Sequence, residues 1–209
     1  MFFIGDVHGY YNQYERLIKT HSNTIQVGDM GVGFKKTLSN GEVMFFANPS
    51  HKNMVKSGAR FIRGNHDNPN VCKKHSQYIH DGTIEDTPLG KMMFIGGAYS
   101  IDKEYRTKDY DWWEDEELSY QELSKMIDKY LEVKPDVMVT HDCPESILGY
   151  IHSHHFGINT RTGQALDNMF SLHQPKIWVF GHHHKKFHME IKGTRFYCCA
   201  ELAVVEIKE

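Results

Sequence analysis

Residues 1–9 read MFFIGDVHG, an apolar run from Met1 to Ile4 that stops at Gly5 and hands over to a polar loop carrying Asp6 and His8. Tyr11 to Lys19 then shows helical spacing, with Tyr14, Leu17 and Ile18 on one face. Strand, loop, helix is the reading. The same handover recurs down the chain. Thr24 to Val27 leads into Gly28-Asp29, and Phe61-Ile62 leads into Gly64-Asn65-His66-Asp67. Val137 to Val139 leads into Thr140-His141-Asp142, and Ile177 to Phe180 into Gly181-His182-His183-His184. Open α/β sheets keep their ligand sites in the crevice beyond the carboxyl ends of the strands, so these polar clusters are expected to converge.

Around that frame the spacing predicts helices over Pro49 to Lys56, Tyr120 to Leu131 and Gly163 to Leu172. The second carries Leu123, Ile127, Tyr130 and Leu131 on an apolar stripe. Phe187 to Ile191, Arg195 to Cys199 and Ala203 to Ile207 alternate as antiparallel strands of a second sheet, with Lys192-Gly193-Thr194 as a hairpin turn. Residues 100–119, dense in charge and aromatics, are expected to form a lid or substrate loop, and residues 150–162 a second loop. The chain reads as a single domain over residues 1–209.

Composition narrows the class without naming a function. A net charge of -3 with both signs interspersed argues against a surface built to neutralise a nucleic-acid backbone. No apolar run approaches the ~20 residues needed to span a bilayer, and the N-terminus has no signal-peptide pattern, so a cytoplasmic protein with no membrane partner is expected. Nothing points to an obligate protein partner. Cys72, Cys143, Cys198 and Cys199 show no CxxC spacing and are expected as reduced thiols. Fifteen histidines are the compositional oddity, and imidazole is the commonest metal ligand.

The clusters offer Asp6, His8, Asp29, Asn65, His66, His141, His182 and His184. A pair of divalent ions about 3.5–4 Å apart needs a bridging carboxylate and separate nitrogen and oxygen donors for each ion. The inventory meets that demand. Asp6/His8 and His182/His184 each place two donors one residue apart, a spacing that in extended backbone sends both side chains to one side.

The strings GDVHG (5–9), GDMG (28–31), GNHD (64–67), THD (140–142) and GHHH (181–184), in this order, resemble the calcineurin-like metallophosphoesterases over nearly the whole chain. The resemblance implies an α/β fold of two stacked mixed β-sheets flanked by helices, a four-layer αββα sandwich with the metals in loops at one edge. It implies that Asp6, His8 and His184 hold one ion, that Asn65, His141 and His182 hold the other, and that Asp29 bridges them. It implies too a hydroxide attacking phosphorus in line, with His66 as the general acid. Manganese is the first expectation for the two divalent metal ions, with iron, zinc or nickel as alternatives. The expected partner is a phosphate ester, either a phosphodiester or a small phosphomonoester, with nucleotide-derived esters among the candidates.

The chain also departs from the pattern. Where the protein Ser/Thr phosphatase branch continues its second motif with an aspartate and a phosphate-binding arginine, this sequence has Val32 and Gly33. Arg63 and Arg106 are the candidate replacements. A protein phosphatase is therefore the lesser enzymatic reading, and a catalytically silent binder of phosphate or nucleic acid is the reading from a different class. His183 is expected to turn away from the metals toward solvent or substrate, and Asp67 and Asp142 to brace loops. His152, His154 and His155 are expected to be solvated and Trp112-Trp113 packed, while Asp109 to Glu117 is expected to shape substrate choice rather than metal content.

Overall fold

The computed structural model describes residues 1–37, 40, 43–45, 48–152 and 159–208. In chain order its strands are β1 (Phe2–Ile4), β2 (Thr24–Gln26), β3 (Lys35–Thr37), β4 (Val43–Phe45), β5 (Arg60–Phe61), β6 (Ile84–Thr87), β7 (Gly90–Ile95), β8 (Val137–Thr140), β9 (Ile177–Phe180), β10 (Phe187–Ile191), β11 (Thr194–Cys198) and β12 (Val204–Glu206). Its helices are α1 (Tyr11–Thr20), α2 (His51–Ser57), α3 (Pro69–Cys72), α4 (Tyr120–Val133), α5 (Leu148–Ile151) and α6 (Arg161–Leu172).

Two mixed sheets carry the fold. One has the order β12-β1-β2-β5, the other β10-β11-β9-β8-β7-β6, and β3-β4 is a separate hairpin. Within each, the donor-bearing strands run parallel: β1, β2 and β5 in the first, β8 and β9 in the second. Side chains alternate faces along a strand, and this alternation builds three cores. Phe3, Ile25 and Val27 meet Val137, Val139 and Val179 between the sheets. On the far side of the six-stranded sheet, Met138, Trp178 and Phe180 pack on Tyr130, Leu166 and Phe170 from α4 and α6. Ile4 and Phe61 pack on Tyr14 and Ile18 of α1 and Met54 of α2. Helix, sheet, sheet, helix is the layering. Strands buried on both faces read as unbroken apolar runs, which is why β9 is Ile-Trp-Val-Phe.

The helix signals act locally. Ser119 and Glu122 form a reciprocal capping box at the start of α4. That helix runs past Leu131 to Val133 and ends where Lys134 turns left-handed before Pro135. The α6 helix begins at Arg161 rather than Gly163, because Thr160 caps it by accepting from Gly163 N.

The tail differs from expectation in one respect. β10 and β11 form a hairpin in the second sheet, but β12 crosses over and pairs antiparallel with β1 in the first. Ile191 pairs directly with Thr194, so the turn is only Lys192-Gly193, at φ 50° and 81°. Both residues are left-handed, as a two-residue hairpin of this twist requires. The β6-β7 hairpin had no clear alternation to announce it.

Candidate metal centre

The loops after β1, β2, β5, β8 and β9 bring the expected donors to one place. Asp6, His8, Asp29 and His184 offer ligand atoms all within 4.8 Å of one another, and so do Asp29, His141 and His182; Asp29 belongs to both groups. Asn65 joins the second group, its Oδ1 lying 3.1 Å from His141 Nε2.

The backbone there is strained in the direction the site needs. His8, Asp29, His182 and His184 all have left-handed φ, between 46° and 61°. Each such residue costs on the order of 1–3 kcal/mol and persists only where its surroundings impose it, so extended geometry does not set these spacings. Two motif glycines leave room for the donors: a Cβ at Gly64 would collide with the Asp29 carboxylate, and one at Gly181 with that of Asp6.

Hydrogen bonds behind the donors hold their aim. His141 Nδ1 donates to Val27 O at 2.8 Å, which orients the ring so that Nε2 lies 3.2 Å from Asp29 Oδ1. Asn65 Nδ2 donates to Ser100 Oγ at 3.0 Å, and Ser100 Oγ donates to Glu116 at 2.6 Å, so the amide oxygen of Asn65 is turned inward. Asp67 accepts from the backbone N–H of Met30, Gly31, Val32 and Gly64, tying the second motif to the third. No motif marks Ser100 and Glu116; both lie within residues 100–119. That loop is packed at its far end, with Trp113, Glu116 and Glu117 buried, so it braces a donor as well as lining the site.

His8 Nε2 and His184 Nε2 face each other at 3.0 Å, and buried Asp6 Oδ2 lies 2.9 Å from His184 Nε2 without an aligned hydrogen bond. Lone pairs aimed at one point, drawn from imidazole, carboxylate and amide oxygen, suit hard-to-borderline divalent cations. The residues fit the metals. Burial would lift the Asp29 carboxyl, but His141, His66 and His8 together hold it well below the usual range. Burial pushes His141 down, yet Asp29 and then Asp6 outweigh it and raise the imidazole to about 10. His182 goes the other way, burial lowering it to about 4.

The two arginines part company. Arg63 is buried with its guanidinium on Asp81 Oδ2 at 3.1 Å and on the carbonyls of Asp115 and Glu116, which corrects the expectation that it binds phosphate. Arg106 does reach the site. It donates to Asp102 and to His66 Nε2, each at 2.8 Å, while Phe34 stacks on the His66 ring at 5.1 Å. His66 is thus a neutral acceptor here, pushed down to about 4 by burial first, with Arg106 and His8 adding.

His183 does turn from the donors, but to Asp142 Oδ1 at 3.1 Å and His152 at 3.2 Å, so neither His183 nor His152 is simply solvated. His154 and His155 lie outside the described residues. Trp113 is buried and Trp112 half-buried. Two cavities of about 610 Å³ each flank the centre, and His66, Asp102 and Arg106 line both. Among the described residues no helix is long and apolar enough to cross a membrane.

Strand-end loops of a four-layer sandwich here gather two donor groups around a shared carboxylate, an arrangement of the kind that can hold a pair of metal ions. The family model for calcineurin-like phosphoesterases matches residues 1–186, and the chain belongs to that family of hydrolases. No curated protein sequence matches it. Among solved structures it is similar to a putative 5'-nucleotidase from Staphylococcus aureus, at TM-score 0.58 and 13% identity, covering 97% of this chain and 49% of that one. It is also similar to the phosphopantetheinyl hydrolase of Mycobacterium tuberculosis, at TM-score 0.53 and 11% identity, covering 96% and 89%. At such identities the likeness extends to the fold.

Proposed function

We propose that the chain hydrolyses a phosphate ester, with Asp6, His8 and His184 holding one divalent ion, Asn65, His141 and His182 a second, and Asp29 shared between them. The observation that carries this is the pair of donor groups, built from separate loops, that meet on one carboxylate. When bound, such a metal pair supplies a nucleophile from water and neutralises charge on the phosphoryl oxygens.

The chain's own groups do the rest. Arg106, on the rim beside the donors, takes a phosphoryl oxygen. In doing so it leaves His66, relieving part of the charge that depresses the imidazole and freeing Nε2 to carry a proton to the leaving oxygen. Phe34 keeps that ring in plane. Manganese is the expected metal, with iron, zinc or nickel as alternatives. The protein Ser/Thr phosphatase reading loses support, since Val32 is buried and a side chain at Gly33 would run into Asn68 and Val71.

The test is direct. Metal-stripped protein given manganese should cleave a p-nitrophenyl phosphodiester or monoester, and Asp29→Asn should cut turnover by about 1,000-fold or more, both ions losing their common ligand. A fully loaded protein that turns over neither ester with any of these metals would be the silent binder instead.

A further inference from the structure

We infer that this site takes a phosphodiester bearing an organic group on each side of phosphorus, one of them an aryl or nucleobase ring. The inference rests on the hydrolase reading above and narrows its substrate.

Space is the first argument. The two cavities meet at a ridge of His66, Asp102 and Arg106, with Asp29, Asn65, His182 and His184 lining one and His8 the other. A phosphorus atom held among those donors has room on both sides. A monoester with a single organic group would leave one cavity to water.

The linings are the second argument. Tyr99, Ile101 and Leu148 make an apolar wall in one cavity, while Tyr10, Phe34 and Tyr105 gather beside Lys35 in the other. Ile101 is 76% exposed, Tyr105 93% and Tyr10 51%. These are among the large apolar side chains the fold leaves in water, and they sit on the lips of the two cavities. Aromatic faces next to a cation are a platform for a ring attached to an anionic ester.

Charge is the third. A phosphomonoester carries about 1.5–2 negative charges at neutral pH, whereas a diester carries a single one. Arg63 is turned into the protein, and Arg106 is already half-neutralised by Asp102. Beside the metals and Lys35, the protein thus sets one shared guanidinium against the ester, which suits the smaller charge.

The reaction on a model diester balances simply. A water oxygen bonds to phosphorus while one p-nitrophenolate leaves with its electron pair, and the water's protons pass to the remaining monoester and to solvent. The experiment compares bis(p-nitrophenyl) phosphate with p-nitrophenyl phosphate on the manganese-loaded protein, the leaving group being the same. The expected kcat/KM is at least about tenfold higher for the diester, with one p-nitrophenolate released per molecule in a fast phase and the second only in a slower one. Tyr105→Ala and Ile101→Ala, both at exposed positions, should each raise the diester KM by about fivefold or more, as loss of a ring or apolar contact does.

A monoester cleaved as fast as the diester, two nitrophenolates released in one phase, or a diester KM unmoved by both variants overturns the inference and leaves the hydrolase reading standing. No turnover of either ester by fully loaded protein removes both.

Discussion

The two halves of the donor set are built to different standards. Asn65 and His141 are buried and braced, by Ser100 with Glu116 and by Val27 O, and His182 lies half-buried beside them. His8 and His184 stand at the rim, the side chain of His184 47% exposed against 0% for His141. The inner half is an organised pocket fixed by its surroundings, while the outer half is finished largely by whatever cation enters it. An inner ion should therefore bind tighter and exchange more slowly than an outer one.

Exchanging one histidine in each half tests this most strongly. His141→Ala removes an inner donor and strands Asp29 without its main partner, so activity should fall by about 1,000-fold and stability by roughly 3–5 kcal/mol. His184→Ala should cost about 10- to 100-fold, recoverable with excess manganese. Activity and thermal melts across a manganese titration would show it; equal losses, or rescue of the inner variant alone, would break the comparison.

A smaller effect is expected one shell out. Glu116→Ala lets Ser100 and then Asn65 turn, and should weaken the inner ion by about tenfold. Glu116→Gln, which keeps one acceptor oxygen for Ser100, should recover much of that. Metal affinity by competition with a chelator is the readout. A change confined to substrate preference would return residues 100–119 to the purely substrate-selecting role that the sequence suggested.

The gathering of the donor side chains was legible because short apolar strands ending in Gly-Asp or Gly-His loops announce both an element and a polar side chain in a few residues. The four-layer arrangement came from the resemblance of the five strings to a known family, and the structure shows why a run such as Ile177–Phe180 is unbroken: that strand is buried on both faces. What escaped was long-range. Nothing in the spacing of Val204–Glu206 says that it leaves its hairpin neighbours to pair with β1, a choice made by packing across the whole core. Arg63 reads like a phosphate ligand until its partners Asp81 and the carbonyls of 115 and 116 are seen, and Ser100 and Glu116 lie in a stretch with no periodicity.

Acidity separates the donors again, in a metal-free protein. His66 and His182 are each pushed down to about 4, mainly by burial, from an ordinary value of 6.5. Depressed histidines contribute their full stability above pH 6.5, and the contribution is lost as pH falls through about 4, because the unfolded chain takes up protons the folded one refuses. His141 has the opposite sign: raised to about 10 by Asp29 against the pull of burial, it stabilises fully below pH 6.5 and the gain fades as pH rises through about 10. Melting temperature without metal should therefore peak close to pH 6.5, between the two losses. Manganese should flatten the alkaline arm in particular, since a cation at Asp29 takes over from the proton on His141 and binds better as that proton leaves. Melts from acid to alkaline pH, with and without manganese, decide it: a metal-free melting temperature still climbing well above neutrality would mean that His141 is not the proton-holding partner of Asp29, and the inner half would lose its claim to be organised before the metal arrives.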